Sequence, residues 1–278
     1  MTIIELCHLI GIQDEIRDRI TEYERCIDFH GIKQEIEQMK HPEYWEDAIE
    51  CLQRLLEPDE DGVKILTCQL HCACDAYAKY EELGISEQVF IATMKFFPRF
   101  LQDHKDKHGS YRFVWAWWAV RQLSMMEYRI GELEYEMRIE DDRRLIHIHI
   151  PADADLSTDK LRKSYLEAVD FFKMYYPAYD GADMVCSSWL LAPSLKAVLP
   201  ENSKILRFQQ LFDIDEVEED SLSFMDWVYG SKDIPLEELP EGTTLQRNLK
   251  PYLRNNGKIE LASGKLVADR MIHMCGGA

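Results

Sequence analysis

The clearest structural pattern in the chain lies in residues 129–150, RIGELEYEMRIEDDRRLIHIHI. Apolar and polar side chains alternate over residues 133–140 and again over residues 145–150. A period of two is typical of β-strands that have one apolar face. Asp141 and Asp142 separate the two runs, so the sequence predicts a β-hairpin whose turn lies at this pair.

The position of the turn also predicts the register of the hairpin. If the turn is centred between Asp141 and Asp142, Glu136 faces His147 and Glu134 faces His149. A slip of one residue would set polar side chains against apolar ones along both strands, so this register is favoured. The prediction is a ladder of two carboxylates and two imidazoles on one face, in which the carboxylates raise the pKa of the histidines.

The segments around the hairpin predict a mixed domain over residues 111–278. Residues 111–122, rich in Trp, predict a buried helix, and the turn at residues 151–157 opens a helix that ends before Pro177. Further strands are predicted at 184–191, 205–214 and 223–229, with a short helix at 193–199, a solvated acidic loop at 213–220 and a final helix at 245–255. Such alternation indicates an α+β or α/β fold, with a mixed, partly parallel β-sheet covered by helices.

Residues 1–108 have the pattern of an all-helical N-terminal domain. Apolar side chains recur at spacings of three and four, as in Ile12, Ile16 and Ile20. Gly84 is placed to end one helix and Ser86 to cap the next. The polar segment 103–109 then predicts a link between the domains 1–108 and 111–278.

Composition and charge exclude several classes of partner. The chain has 278 residues and a net charge of -19, and both predicted domains are acidic, which excludes a nucleic-acid backbone as partner. No stretch approaches the roughly 20 apolar residues that span a membrane. The first ten residues have no basic region of the kind that begins a signal peptide, so a cytoplasmic location without membrane attachment is expected.

The eight cysteines are expected to be reduced thiols that fill apolar space. Cys68, His71 and Cys72 share one helical face, and Cys74 is close by. No second Cys/His pair follows at zinc-finger spacing, so buried thiols are favoured over a metal site here.

Four segments resemble a family of acyltransferase-domain proteins: Tyr128-Arg-Ile-Gly-Glu-Leu-Glu-Tyr135, His147-Ile-His-Ile-Pro-Ala-Asp153, Cys186-Ser-Ser-Trp-Leu-Leu191 and Thr244-Leu-Gln-Arg247. The family has a helical N-acyltransferase N-terminal domain and a GNAT-like C-terminal domain, and the resemblance covers essentially the whole chain. It implies an N-acyltransferase that takes an acyl group from acetyl-CoA or another acyl-CoA and transfers it to a small amine.

The resemblance implies a coenzyme A site in the loop between a strand and the helix that follows it. In this chain the loop contains Pro151, Ala152, Asp153, Ala154 and Ser157. Family members have a glycine there, whose backbone and helix N-terminus bind pyrophosphate. Here no glycine occurs, and Asp153 and Asp155 would cap the helix and repel phosphate. The second hypothesis is therefore a non-catalytic GNAT-like protein that binds a ligand or partner and has lost coenzyme A.

The candidate catalytic residues are His147 and His149, either of which could take a proton from an amine, oriented by Glu134 and Glu136. The alternative without chemistry is a solvated sheet face with weak ion pairs. A third hypothesis is a metal-dependent enzyme in which His147 and His149 bind the ion with Asp153 or Glu136.

The candidate substrate-binding residues are Arg129, Ser187, Ser188, Trp189 and Arg247. The two serines follow a buried strand, at the end where open α/β sheets bind ligands. Arg247 begins the last predicted helix and could hold a carboxylate or phosphate. The alternatives are serines that cap a turn, a tryptophan in the core and an exposed helical arginine.

Overall fold

The computed structural model describes residues 1–273, so Cys275 lies outside the described residues. The chain divides into two compact units, the first spanning Met1–Arg129 and the second beginning at Ile130. The predicted domain limits, 1–108 and 111–278, stay a prediction. Among residues 1–273, no helix is long and apolar enough to cross a membrane.

The first unit consists of helices, as the N-terminal sequence predicts. The helices are α1 (Ile3–Ile10), α2 (Asp14–Cys26), α3 (Lys33–Gln38), α4 (Trp45–Leu55), α5 (Val63–Leu83), α6 (Glu87–Met94), α7 (Phe96–His108) and α8 (Ala116–Leu123), with a 3₁₀ turn at Pro42–Tyr44. Gly84 ends α5 in the left-handed conformation, and Ser86 caps α6 by accepting a hydrogen bond from the Val89 N–H. Both caps confirm the sequence prediction.

The helix predicted at 111–122 begins later than expected, at Ala116. Phe113 is buried, and its N–H donates to the Asp61 carbonyl at 2.8 Å. That hydrogen bond ties this segment to the loop before α5, so residues 111–115 stay outside the helix.

The sheet has six strands in the order β1-β2-β3-β4-β6-β5. They are β1 (Glu127–Ile130), which contains the unit boundary, β2 (Leu133–Glu140), β3 (Arg143–His149), β4 (Asp183–Ser188), β5 (Phe212–Glu218) and β6 (Leu261–Leu266). Strands β3 and β4 are parallel, whereas β2/β3, β4/β6 and β5/β6 are antiparallel. The predicted mixed, partly parallel sheet is confirmed.

The β2–β3 hairpin has the predicted register. Glu134 pairs with His149, and Glu136 pairs with His147. Asp141 and Asp142 form the turn with φ angles of 48° and 62°, a left-handed conformation that Asp tolerates better than most residues.

Helix α9 (Thr158–Tyr175) connects β3 to β4 and covers the apolar face of the hairpin. The Tyr135 hydroxyl lies 3.0 Å from the Ser164 hydroxyl of α9, and both side chains are fully buried. Helix α9 begins after Ser157 and ends before Pro177, as predicted. The opposite, polar face of the hairpin carries the candidate catalytic side chains.

The remaining helices are α10 (Lys204–Gln209), α11 (Ser223–Tyr229), α12 (Thr244–Arg254) and α13 (Ala268–His273), with 3₁₀ turns at Pro177–Tyr179, Trp189–Leu191, Pro193–Ala197 and Leu236–Glu238. The predicted helix at 245–255 is confirmed as α12. It is not the last element, since β6 and α13 follow it.

Several predictions for residues 184–229 were wrong. Strand β4 ends at Ser188, where the Ser188 hydroxyl caps the 3₁₀ turn that follows. The predicted strand 205–214 divides into α10, capped by Ser203, and the beginning of β5. The predicted strand 223–229 is α11, whose Phe224, Met225 and Tyr229 point into a core at helical spacing.

The acidic run 213–220 lies largely on a strand and not in a loop. Within residues 1–273, strand β5 is an edge of the sheet and its one strand neighbour is β6, so its carboxylates stay in solvent. Strand β6 was not predicted, because its sequence Leu-Ala-Ser-Gly-Lys-Leu has little strand propensity. Its Gly264 permits close pairing, since a Cβ there would lie 2.6 Å from the Asp213 carbonyl oxygen.

Candidate functional site

The polar face of the β2–β3 hairpin is buried. Glu134 is 5% exposed and Glu136 is 2% exposed, and His147 and His149 are half-buried. A solvated sheet face, the alternative without chemistry, does not describe this structure. Carboxylates at such depth require partners, because an unpaired buried charge is strongly destabilising.

Glu136 receives two donors on one oxygen. His149 Nε2 lies 2.8 Å from Glu136 Oε2, and an Arg138 guanidinium nitrogen lies 2.7 Å from the same atom. Burial alone would raise the pKa of Glu136, but the hydrogen bonds from His149 and Arg138 outweigh it and lower the pKa to about 2. Glu136 is therefore a carboxylate at all ordinary pH values and fixes the orientation of His149.

His147 has a different environment from its neighbour. Its Nε2 lies 3.0 Å from Glu140 Oε1, yet this buried nitrogen has no aligned hydrogen-bond partner among residues 1–273. Burial lowers the pKa of His147, and the charge of Arg138 lowers it further, against the opposing effect of Glu140 and Glu136. The expectation of a raised pKa was wrong for His147, which is a neutral imidazole at pH 7.

Two side-chain contacts run diagonally across the hairpin. His149 contacts Glu136 and His147 approaches Glu140, although the Cα partners are Glu134 and Glu136. Sequence reasoning missed Arg138 and Glu140 as members of the site. Both continue the alternation of Glu134 and Glu136 along β2, which was the available signal.

An opening separates the C-terminal ends of the two parallel strands. The β3–β4 pairing comprises three residue pairs and ends at His147 and Val185. Strand β3 continues to His149. Strand β4 pairs with β6 on its other side from Val185 to Ser188, and Ser187 and Ser188 have no pairing with β3. Pro151, which has no N–H, follows β3 and cannot extend the ladder. The ends of β3 and β4 therefore leave backbone groups on the two sides of the opening without strand partners.

The loop between β3 and α9 lies at the same end of the sheet. Ala152 and Asp153 are exposed, Pro151 is buried, and Ala154 and Ser157 are half-buried. Ser157 is the N-cap residue of α9, but its hydroxyl forms no capping hydrogen bond.

Asp155 was expected to cap α9. Its carboxylate instead bonds to the segment that precedes the helix. Its carboxylate accepts a hydrogen bond from the Ser157 N–H at 3.0 Å and forms an ion pair with Lys204 at 2.7 Å. The Lys204 ammonium and the Ser157 N–H lower the pKa of Asp155. The charge of Asp155 is thus offset by Lys204, and the first-turn N–H groups of α9 are not occupied by this carboxylate.

The predicted substrate-binding residues have separate surroundings. The Ser187 hydroxyl accepts from the Ser263 hydroxyl at 2.9 Å on the exposed end of β4, and Ser263 was missed because β6 was missed. Ser188 accepts from the Leu190 N–H, and Trp189 packs against a hydrophobic core formed with α11 and α12. A substrate contact for any of these three residues stays a prediction.

The two predicted arginines lie on different elements, Arg129 on β1 and Arg247 on α12. Arg129 belongs to the first unit, where its N–H donates to the Thr93 hydroxyl. Arg247 donates to the carbonyls of Glu241 and Gly242 at 3.0 and 3.1 Å, and to the Thr244 hydroxyl. Its guanidinium thus holds the loop that precedes α12. A substrate contact for either arginine stays a prediction.

The cysteines near His71 are thiols in apolar surroundings. Cys68 and Cys72 are buried, and burial raises the pKa of Cys68, Cys72 and Cys74 to about 12 in each case. A thiol with such a pKa is neither a nucleophile nor a ready metal ligand at pH 7. The prediction of buried thiols is confirmed for Cys68 and Cys72.

Two family models match the chain. A GNAT-like C-terminal domain matches residues 91–266, and an N-acyltransferase N-terminal domain matches residues 1–125. No curated protein sequence matches the chain significantly.

Solved structures of acyltransferases have a similar fold. An acyltransferase in complex with decanoyl-CoA superposes with a TM-score of 0.75 at 20% identity, covering 94% of this chain and 86% of that one. An acyltransferase in complex with decanoyl-CoA and teicoplanin gives a TM-score of 0.68 at 19% identity, covering 96% and 99%. An acyltransferase mutant in complex with octanoyl-CoA gives 0.68 at 18% identity, with the same coverage. At sequence identities this low, the structural similarity establishes a shared fold and nothing further.

Proposed function

Because the chain belongs to the family of proteins with a GNAT-like C-terminal domain, we propose that it is an acyltransferase that transfers an acyl group from a coenzyme A thioester to a small-molecule amine. The observation that carries this proposal is the opening between β3 and β4, beside the His147–His149 face. The solved acyltransferases of similar fold contain decanoyl-CoA, octanoyl-CoA or CoA, which supports an acyl-CoA as donor.

The opening has the chemistry to bind the extended arm of coenzyme A. The arm contains two amides, and an extended ligand with amides can add to an exposed strand edge through backbone hydrogen bonds. The ends of β3 and β4 offer such edges beyond His147 and Val185. The thioester would then lie near the imidazoles of His147 and His149.

The loop at residues 151–157 is proposed to bind the phosphates. Helix α9 has 18 residues, and its first-turn N–H groups and dipole favour an anion. Lys204 contributes a cation to this loop through its ion pair with Asp155. The proposed contacts are the backbone at Pro151, Ala152, Asp153, Ala154 and Ser157. Pro151 has no N–H, and the N–H groups of Ala154 and Ser157 already donate to the Pro151 carbonyl and to Asp155. The donors proposed for a phosphate are therefore chiefly the first-turn N–H groups of α9, which do not require a glycine.

His147 is proposed as the general base. It is neutral at pH 7, so a nitrogen of its imidazole can take the proton of an ammonium group. The neutral amine nitrogen then attacks the thioester carbonyl and forms the C–N bond. As the carbon–sulfur bond breaks, the nitrogen loses its extra proton to the departing sulfur, so coenzyme A leaves as the thiol and the amide remains. His149, held by Glu136, positions the acceptor side of the site.

An amine acceptor agrees with the charge of the protein. A net charge of -19 concentrates cations around the molecule and speeds their association. One solved acyltransferase of similar fold contains the glycopeptide teicoplanin, which supports a small-molecule acceptor.

Thermal unfolding in the presence of decanoyl-CoA tests the donor site. A ligand that binds only the native state stabilises it by about 2.7 kcal/mol at a hundredfold excess over its dissociation constant. We expect a saturable rise in Tm with decanoyl-CoA and with CoA. The absence of any shift up to millimolar ligand would instead favour the second hypothesis, a binding protein of this fold that has lost coenzyme A.

Reversing the charge of Lys204 tests the position of the phosphates. In Lys204→Glu we expect decanoyl-CoA to bind roughly tenfold more weakly, about 1.4 kcal/mol, because the reversal leaves Asp155 without its cation and adds a second negative charge near the phosphates. Lys163→Glu is the matched control, since Lys163 is exposed on α9 and pairs only with Glu167 among the described residues. Equal weakening in both variants would show a general charge effect and refute the proposed location.

An ion held by His147 and His149 together has less support. The two imidazoles face different carboxylates, and Arg138 occupies the Glu136 oxygen that a metal would need. A fixed cation beside a carboxylate opposes the binding of a second one.

A further inference from the structure

The last turn of α7 carries two histidines on one helical face. His104 and His108 are four residues apart, and side chains at this spacing are neighbours on a helix. The centres of their rings lie 4.5 Å apart. A bond between a transition metal and a histidine nitrogen is about 2.1 Å long, so rings this close can each bind the same ion through one nitrogen. Two helical histidines at the same spacing hold the zinc of metalloproteases.

The end of α7 also fixes the orientation of one of these rings. Gly109 has a φ of 78° and donates its N–H to the Lys105 carbonyl at 2.8 Å, which turns the chain back at the end of the helix. The Ser110 carbonyl oxygen then lies 2.6 Å from His104 Nδ1. Because a carbonyl oxygen can only accept, His104 Nδ1 carries the hydrogen of this bond. In the neutral ring, Nε2 is therefore the nitrogen that keeps its lone pair for a ligand.

The hydrogen bond between His104 and Ser110 is typical of histidines that bind metals. Such histidines almost always donate the hydrogen of their other ring nitrogen to a carboxylate, a backbone carbonyl or water. That bond selects the tautomer and holds the ring in place. His104 thus has the arrangement of a metal ligand without an ion being present, and the neighbouring ring of His108 is exposed to solvent.

The charged side chains nearby restrict the kind of ion. The Lys107 ammonium is paired with Asp103 at 2.9 Å, and the Lys105 ammonium lies 5.0 Å from the centre of the Tyr111 ring. Residues 103–108 contain two aspartates and two lysines, so this turn has no excess of carboxylates for a hard cation such as Mg²⁺ or Ca²⁺. Two imidazoles favour Cu²⁺, Ni²⁺ or Zn²⁺ instead.

We propose that His104 and His108 together bind one divalent transition-metal ion, with water completing its coordination. His104 binds the ion through Nε2, and His108 binds it from the next turn of the helix. Both histidines and Ser110 belong to the first unit, so the site involves neither coenzyme A nor acyl transfer.

Calorimetric titration of the full chain with NiCl₂ tests the proposal. We expect one Ni²⁺ to bind with saturation below about 1 mM. In His104→Ala and in His108→Ala the dissociation constant for this ion should rise at least tenfold, because a single imidazole cannot chelate it. Alanine favours the helix, so both variants should fold. The absence of saturable binding would overturn the proposal, and so would unchanged affinity in either variant, which would place the ion elsewhere in the chain.

Two double variants separate the geometry of the pair from the number of histidines. His30→Ala/His41→Ala removes two exposed histidines outside α7, and we expect the Ni²⁺ affinity to stay that of the wild type. Asp106→His/His108→Ala keeps two histidines in α7 but at a spacing of two residues, where side chains do not face each other. We expect its affinity to be as low as that of His108→Ala. Wild-type affinity in this second variant, or weakened binding in the first, would refute the proposed pair.

Discussion

Replacing His147 with asparagine should lower kcat for acyl transfer by roughly 10²- to 10⁴-fold, the range for loss of a positioned general base. Asparagine keeps a polar side chain of similar size on β3, so the hairpin should fold. Decanoyl-CoA binding should change little, because the proposed donor contacts are backbone groups at the opening and the loop before α9. The measurement is kcat in steady-state kinetics, together with the Tm shift caused by decanoyl-CoA.

The pH profile separates a base from a structural residue. The pKa of His147 is lowered from 6.5, so its neutral form is present at pH 7 and is lost only as the pH falls through the lowered pKa. Activity should therefore be full at pH 7 and decline in the acidic range, and this limb should vanish in His147→Asn. His41→Asn, an exposed histidine of the first unit, is the control. A loss of activity in His149→Asn but not in His147→Asn would contradict the assignment.

Replacing Glu136 with glutamine should reduce the free energy of unfolding by about 3 kcal/mol at pH 7. The pKa of Glu136 is lowered from 4.5 to about 2 in the folded protein, and a tenfold change in proton affinity corresponds to about 1.4 kcal/mol. The amide keeps the shape of the side chain but removes the charge that pairs with Arg138 and His149. Chemical denaturation of both proteins measures the difference.

The pH dependence of that difference has a defined sign. A carboxylate with a lowered folded-state pKa stabilises the protein above its unfolded pKa, and this stabilisation is lost as the pH falls through the folded pKa. The gap between wild type and Glu136→Gln should thus be full above pH 5 and close between pH 4.5 and about 2. Glu140 lies on the same strand but is exposed, so Glu140→Gln should change the free energy of unfolding little. A gap that stays constant with pH would show that packing, and not charge, is responsible.

The hairpin was predictable because two independent signals agree. Alternation along residues 133–150 gives the strands, and the Asp141-Asp142 turn gives the register, which the structure confirms residue by residue. The family resemblance drawn from four short segments is confirmed by both family models. Helix caps such as Ser86 and Gly84 were local signals and were also confirmed.

The contacts within the site depend on features that sequence does not specify. Strand twist moves the Glu136–His149 contact to a diagonal, and the depth of burial reverses the expected pKa shift of His147. Strand β6 pairs over a glycine, and α11 resembles a strand because its short apolar run has no clear period. Such short apolar runs are ambiguous between helix and strand until their packing partners are known.

The opening between β3 and β4 also affects how the C-terminal unit moves. The strand order divides the sheet into two halves, β1-β2-β3 and β4-β6-β5. Three residue pairs between β3 and β4 join these halves, whereas seven pairs join β2 to β3. The β3–β4 pairing is therefore shorter than the β2–β3, β4–β6 and β5–β6 pairings, although the middle of a sheet is usually the part best protected from hydrogen exchange. A ligand that filled the opening would connect the two halves of the sheet and make the unit more rigid. The loss of conformational entropy would then offset part of the favourable free energy of binding.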